Sequence, residues 1–313
     1  MIEYNRIELG KAAKQGGFVR DTFEKVLRLK EVLVFINADD FLNSHLALKG
    51  GTAINMTIFN LPRLSVDIDL DFTPNLSKDE TQRCREQITE RLCDYMIDNG
   101  YRLSEASRYS HSLDALQFLY QNAGGNRDNI KVEINYSLRS HLFQPVNRQI
   151  VTDMFQEDIM IRTLKPMEIF AAKANALMNR AAARDLYDFN NMITYGLFGE
   201  EETNLLRKCI IFYASVSAEV INKEFDTSAI DELSFMKIRR DLFPVLRKKD
   251  NFNLEERKKS AKNYIKELMV LTEEEREYLD AFEQNEFRPE LLFDDKMIID
   301  NIQNHPMVLW KMS

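Results

Sequence analysis

Arg63-Leu64-Ser65-Val66-Asp67-Ile68-Asp69-Leu70-Asp71-Phe72, preceded by Lys49-Gly50-Gly51-Thr52, is the stretch that organises the chain. From Ser65 to Phe72 polar and apolar residues alternate without a break. A strand turns successive side chains to opposite faces. The spacing therefore predicts Asp67, Asp69 and Asp71 on one face and Val66, Ile68, Leu70 and Phe72 on the other. The apolar face belongs against a core. Three adjacent carboxylates repel one another, and holding them together costs stability unless a cation offsets the charge.

Working outward, Leu46-Ala47-Leu48 predicts a short strand and Gly50-Gly51 a turn. Residues 52–60 predict a short helix ended by Leu61-Pro62. Residues 1–20 suggest a poorly ordered or short helical lead-in, and 21–40 a helix that Asp21 could cap. Ser77 and Glu80 form a capping-box signature for a helix running to about Asn99, stopped by Gly100. Three strand-like runs follow at 101–110, 113–122 and 129–139, with Gly124-Gly125-Asn126 as the turn between the last two. The third run places Glu133 on a polar face. Residues 147–160 are mixed. From Pro166 the pattern turns helical, with one helix continuing to Ala181 or beyond and further helices at 203–222, 228–243, 254–270 and 273–286. The shift near 160–165 divides an α+β region, 1–162, from a helical one, 163–313.

A chain of 313 residues can bury a substantial core. Its N-terminus shows no signal-like apolar run, and no segment is apolar for long enough to span a bilayer. Three cysteines without CxxC spacing imply a reduced, cytoplasmic setting. A net charge of −8 argues against indiscriminate nucleic-acid binding while allowing a local basic patch. Four scattered histidines argue against a histidine-based zinc site.

Three constellations could carry chemistry. In the first, Gly50, Gly51 and Thr52 open a helix, where backbone amides favour phosphate. Two aspartates at i and i+2 of a strand have Cα atoms about 6.7 Å apart, a reach that suits magnesium. Either piece alone is most simply a turn or a solvated strand; their order makes the metal-phosphate reading the stronger. Glu133 could add a third carboxylate or be solvated. Arg63 could meet phosphate or brace an aspartate, and Ser65 could donate to phosphate or hold the turn.

The second constellation is Lys173, Arg180, Arg184, Asp185 and Asp188. On one continuous helix the three cations fall nearly in line, as a triphosphate clamp would require. The alternative is a solvated face with an Arg184–Asp188 ion pair. The third is diffuse: residues 237–266 hold eleven Lys or Arg against four acids, either solvated faces or a backbone contact for RNA. No Walker loop or nucleophile elbow is present.

With these pieces placed, the chain resembles the AbiEii/AbiGii-type toxin nucleotidyltransferases of the DNA polymerase β-like superfamily. The resemblance rests on Lys49-Gly-Gly-Thr-Ala, on Arg63-Leu-Ser-Val-Asp-Ile-Asp-Leu, and on Glu168 through Arg184-Asp-Leu-Tyr-Asp188. His305-Pro306 to Trp310-Lys311 adds to it more weakly. It implies a bilobed α+β fold, a mixed-sheet catalytic lobe followed by a helical lobe that completes an active-site cleft. By motif, Gly50, Gly51 and Thr52 would hold nucleotide phosphates, with Arg63 and Ser65 flanking. Asp67 and Asp69 would bind two magnesium ions, with Glu133 in the position of a third carboxylate and Asp71 outside the usual pair. Lys173, with Arg180 and Arg184 beside it, would contact the triphosphate. Asp185 or Asp188 would position the acceptor.

The activity implied is magnesium-dependent transfer of a nucleoside monophosphate from an NTP to RNA, with a tRNA 3′ end as one candidate. The setting implied is a toxin–antitoxin or phage-defence module with a cognate antitoxin protein. Two rivals stand beside it: an NTP- or RNA-binding protein without transfer, and transfer to a protein or small molecule.

Overall fold

The apolar run and the acidic stretch become neighbouring strands, β1 (Leu46–Lys49) and β2 (Asp67–Phe72), paired antiparallel with Lys49 opposite Asp69 and Ala47 opposite Asp71. The computed structural model describes residues 4–152, 154–155, 158–217 and 221–313. The chain forms two compact units. One comprises Met1–Arg139, Pro145–Thr163 and Pro244–Asp250; the other comprises Ser140–Gln144, Leu164–Phe243 and Asn251–Ser313.

The first unit is built on a mixed sheet. Its further strands are β3 (Arg102–Leu103), β4 (Arg108–Tyr109), β5 (Leu113–Gln121), β6 (Arg127–Asn135), β7 (Val146–Gln149) and β8 (Met160–Thr163). Their order is β3-β5-β6-β2-β1-β8-β7, with β4 also on β5. β2 runs parallel to β6, and β1 parallel to β8; the other pairings are antiparallel. Its helices are α1 (Arg6–Gly16), α2 (Arg20–Ala38), α3 (Asp40–His45), α4 (Gly50–Ala53) and α5 (Lys78–Asp98).

The sheet presents two chemically different faces. Leu116, Phe118, Tyr120, Ile130, Val132, Ile134, Ile68, Leu70 and Phe72 are buried on one of them. Helices α2 and α5 both pack there: Arg28 of α2 lies 4.3 Å over the Tyr120 ring, and Arg85 of α5 grips Asp114, an inward residue of β5. Alternation then puts Asp67, Asp69, Asp71 and Glu133 on the opposite face.

Several sequence expectations shift here. The lead-in is a full helix, α1, capped by the Asn5 side chain and ended at Gly17 with φ 79°. Asp21 falls inside the first turn of α2 and Val19 takes the cap position. The Ser77–Glu80 capping box forms as expected. β2 begins at Asp67, two residues later than the alternation suggested, and the chain just before it, at Arg63 and Leu64, pairs elsewhere. Leu64 donates its N–H to the Val245 carbonyl at 2.8 Å, and Arg63 bridges Leu246.

The second unit is helical: α6 (Pro166–Arg180), α7 (Ala183–Thr194), α8 (Glu200–Ser217), α9 (Ser228–Asp231), α10 (Phe235–Asp241), α11 (Leu254–Leu268), α12 (Glu273–Glu283), α13 (Lys296–Ile302) and α14 (Pro306–Met312). Of the helix expected over 203–222, residues 218–220 lie outside the described residues. The region 228–243 forms two short helices, with Ser234 capping the second. Among the described residues no helix is long and apolar enough to cross a membrane.

Glu168 anchors this unit. Its buried carboxylate accepts hydrogen bonds from the Leu142 N–H at 2.8 Å and the Tyr213 hydroxyl at 2.5 Å. Burial pushes its pKa up from the ordinary 4.5, opposed by the nearby His141 charge and these hydrogen bonds. An acid with a raised folded pKa favours the folded state fully below its unfolded pKa. That contribution is lost as pH rises through the folded pKa. Glu168→Gln should therefore flatten the decline of unfolding free energy with pH above about 4.5, read by urea titrations at several pH values. An unchanged slope would show that Glu168 does not set this pH dependence.

Candidate active site

The glycine turn closes directly onto the acidic strand. Gly50 has φ +66°, in the left-handed region, and a Cβ added there would collide with the Asp69 carboxylate. Gly51 has a different neighbour: an added Cβ would stand 2.6 Å from Arg63 Nη2 and 3.1 Å from Ser65 Oγ. Arg63, only 1% exposed, lies beneath the turn and donates to the Leu64 carbonyl at 2.9 Å. The contacts of Arg63 are with the turn and the Leu64 carbonyl, and neither of the two roles expected for it, a phosphate ligand or a brace for an aspartate, is decided by them. Thr52 is fully buried and its hydroxyl donates to the Asp67 carbonyl, tying turn to strand. Beyond Ala53 the helix widens into a π turn, Ile54–Ile58, a feature often found beside functional sites.

The carboxylates separate into distinct environments. Asp71 is buried and ion-paired with Lys49, whose side chain reaches it diagonally across the β1–β2 ladder. Asp67 and Asp69 are half-buried on the open face. Glu133 pairs in register with Asp69 through the parallel β2–β6 ladder, and it meets Lys131 at 2.9 Å. Among the described residues, no three His, Cys, Asp or Glu side chains are gathered as a metal-binding group.

In the helical unit, the helix expected from Pro166 to Ala181 or beyond ends at the nearer limit, so the continuous helix that the cation line required does not form. Ala181 takes φ 43° and ends α6, so α7 folds back against it. Nothing in Arg180-Ala181-Ala182-Ala183 disfavours a helix locally; tertiary contacts decide the break. The line of Lys173, Arg180 and Arg184 along one face is thereby lost, and a tighter cluster replaces it. Lys173, 8% exposed, meets Asp185 at 2.9 Å and Asp188 at 3.1 Å, both carboxylates being buried. Arg180 reaches Asp185 at 3.4 Å from a side chain that is 71% exposed. Arg184 donates Nε to the Asp241 carbonyl at 2.9 Å.

Both clusters fall within the stretch that a family model matches. The model for the nucleotidyl transferase AbiEii toxin, type IV TA system, covers residues 32–295. The chain belongs to this family. It is therefore a nucleotidyltransferase and the toxin component of a toxin–antitoxin system, with a nucleoside triphosphate as donor and an antitoxin as counterpart. The solved structure of MenT4, a nucleotidyltransferase toxin from Mycobacterium tuberculosis H37Rv, shares the fold. It aligns with a TM-score of 0.66 at 14% identity, over 99% of this chain and 100% of that one. No curated protein matches the chain.

For this family member, the acidic face suits magnesium by its chemistry. Two carboxylates on one strand offer the hard oxygen donors that magnesium prefers, and that ion completes its shell with water and substrate phosphate rather than with a protein cage. Glu133, held by Lys131, stands beside the pair rather than closing a three-carboxylate set.

Sequence reasoning missed three contributors. Lys49 and Lys131 neutralise neighbouring carboxylates, and both could have been found by extending the strand alternation to their ladders. The 244–250 segment was not legible. It returns to the first unit, where Arg247 donates to the Leu61 carbonyl at 3.1 Å and Lys248 N–H to the Gly17 carbonyl at 2.8 Å. The basic run 237–266 is consequently divided between the two units.

Gly50→Ala should cost about 1–2 kcal/mol from the left-handed backbone alone. It should also displace Asp69, so that transfer falls by more than the stability loss explains. Urea unfolding and NMP incorporation measured on the same preparation test this. An active, equally stable alanine variant would refute the packing of Gly50 on Asp69.

Proposed function

We propose that this toxin transfers a nucleoside monophosphate from an NTP to a hydroxyl of RNA, a tRNA 3′ end being the specific candidate, with magnesium held by Asp67 and Asp69. The observation that supports it most is the closure of the Gly50 turn onto Asp69, which sets a side-chain-free backbone beside a pair of half-buried carboxylates. Without a side chain at Gly50, a bulky phosphate group can approach the strand. Bound magnesium would supply charge compensation on the reacting phosphate and on the attacking oxygen.

In the reaction the acceptor oxygen forms a bond to the α-phosphorus. The bond from that phosphorus to the bridging oxygen breaks, pyrophosphate leaves, and the hydroxyl proton is released. Arg63 and Thr52 hold the turn and strand in register, so that Asp67 and Asp69 keep their orientation without rearranging during reaction. Lys131 and Lys49 limit repulsion on the acidic face. In the helical unit, Lys173 with Asp185 and Asp188 forms a buried charged core, and Arg180 presents the exposed cation suited to a polyphosphate.

The acceptor is tested by incubating the full chain and magnesium with each α-labelled NTP, then with total RNA or with protein extract. Label on RNA, located at the 3′ end by nuclease mapping, is the expected result. Label on protein alone would assign a protein acceptor instead, and NTP binding without incorporation on any acceptor would overturn the transfer reading.

A further inference from the structure

We propose that the exposed face of α10 is a platform for single-stranded RNA, holding unpaired bases by stacking and their backbone by charge. This rests on the reading of RNA as acceptor. Ile238 and Leu242 are buried and fix the helix to its unit. Outward, Phe235 is 57% exposed, Met236 74% and Phe243 38%. Phe243 lies just past the end of α10 and its ring returns to that of Phe235, while Arg239 and Arg240 are exposed on the same short helix. The two rings meet edge to face, 5.7 Å apart at 82°. Two mutually contacting aromatics at the surface keep flat apolar area in water.

The charge of the face indicates what covers it. α10 carries Lys237, Arg239 and Arg240 against Asp241, on a chain whose net charge is −8. Arg240 is already paired with Asp241, so Lys237 and Arg239 supply most of the attraction. Lysine is depleted in protein interfaces, and exposed aromatic rings beside Lys237 and the arginines match a polyanion with stackable bases. The platform is also tied to the acidic cluster of its own unit. Arg184, the residue before Asp185, donates to the Asp241 carbonyl at the end of α10. Because every base offers a π-face, the platform would tolerate different sequences.

The test is equilibrium binding of a labelled single-stranded oligoribonucleotide, and of a blunt RNA duplex, to the full chain without NTP. Phe235→Ala/Phe243→Ala is expected to weaken single-strand binding by about 10-fold or more and to leave duplex binding unchanged. Phe235→Tyr/Phe243→Tyr should retain affinity. Lys237→Glu/Arg239→Glu should weaken both ligands and reduce the salt slope by about 0.7 for each phosphate no longer neutralised. Thermal melts control for folding, which these surface changes should leave intact.

Undiminished single-strand affinity in the double alanine variant would overturn the proposal. The platform and the RNA acceptor can fail separately. RNA transfer by a double alanine variant with full affinity removes the platform and keeps the activity. Single-strand binding through this face, with label passing only to protein, keeps the platform and removes RNA as acceptor.

Discussion

Asp69→Ala is expected to reduce nucleotidyl transfer by about 10³-fold or more while leaving the protein at least as stable as the parent. The rate loss corresponds to about 4 kcal/mol of transition-state stabilisation, within what loss of a metal-held charge clamp removes. The stability result follows from the register. Asp69 stands beside Glu133 on the neighbouring strand and two residues from Asp67 on its own. Like charges set beside one another in a sheet are destabilising, and Lys49, across from Asp69 on β1, keeps its Asp71 partner in the variant, so removing the central carboxylate should be neutral or worth up to about 1 kcal/mol. This combination distinguishes a residue held for chemistry from one held for folding. Urea unfolding and label incorporation on the same sample measure both. A variant that unfolds more easily, or that retains transfer within tenfold, would show Asp69 to be structural.

The second large effect has the opposite character. Lys173→Met should destabilise the helical unit by about 3–5 kcal/mol, because it removes the buried cation that two interior carboxylates share. Asp188 is fully buried and Asp185 is 4% exposed, and Lys173 lies between them. Adding Asp185→Asn and Asp188→Asn to Lys173→Met should recover most of the loss at neutral pH. If the single variant is as stable as the parent, Lys173 is held for the nucleotide and not for the core.

What was legible in the sequence was what lies in local periodicity. The alternation of Ser65–Phe72 carried β2 and its acidic face. The Ser77–Glu80 pair carried the start of α5. The family resemblance rested on that acidic stretch together with Lys49–Ala53 and Glu168–Asp188, and the chain does belong to that family. What was not legible came from contacts distant in sequence. The break at Ala181 has no local signal, since every residue around it favours a helix, yet it decides that Lys173 meets Asp185 and Asp188 across two helices. Arg63 reads equally as a phosphate ligand or a brace for an aspartate, and its place against Gly51 has no local signal. Pro244–Asp250 fell between two expected helices, within the diffuse basic run, and only its hydrogen bonds to Leu64 and Gly17 place it with the first unit.

The central claim is that Asp67 and Asp69 support breakage of the α–β phosphate linkage of an NTP, with the monophosphate kept by the acceptor. Parallel reactions with α-labelled and γ-labelled NTP test it most directly, using the parent and Asp67→Ala/Asp69→Ala. The expected result is α-label on the acceptor, γ-label released in pyrophosphate, and neither event in the double variant. Transfer of γ-label to the acceptor, or α-label incorporation that persists without the two aspartates, would contradict it.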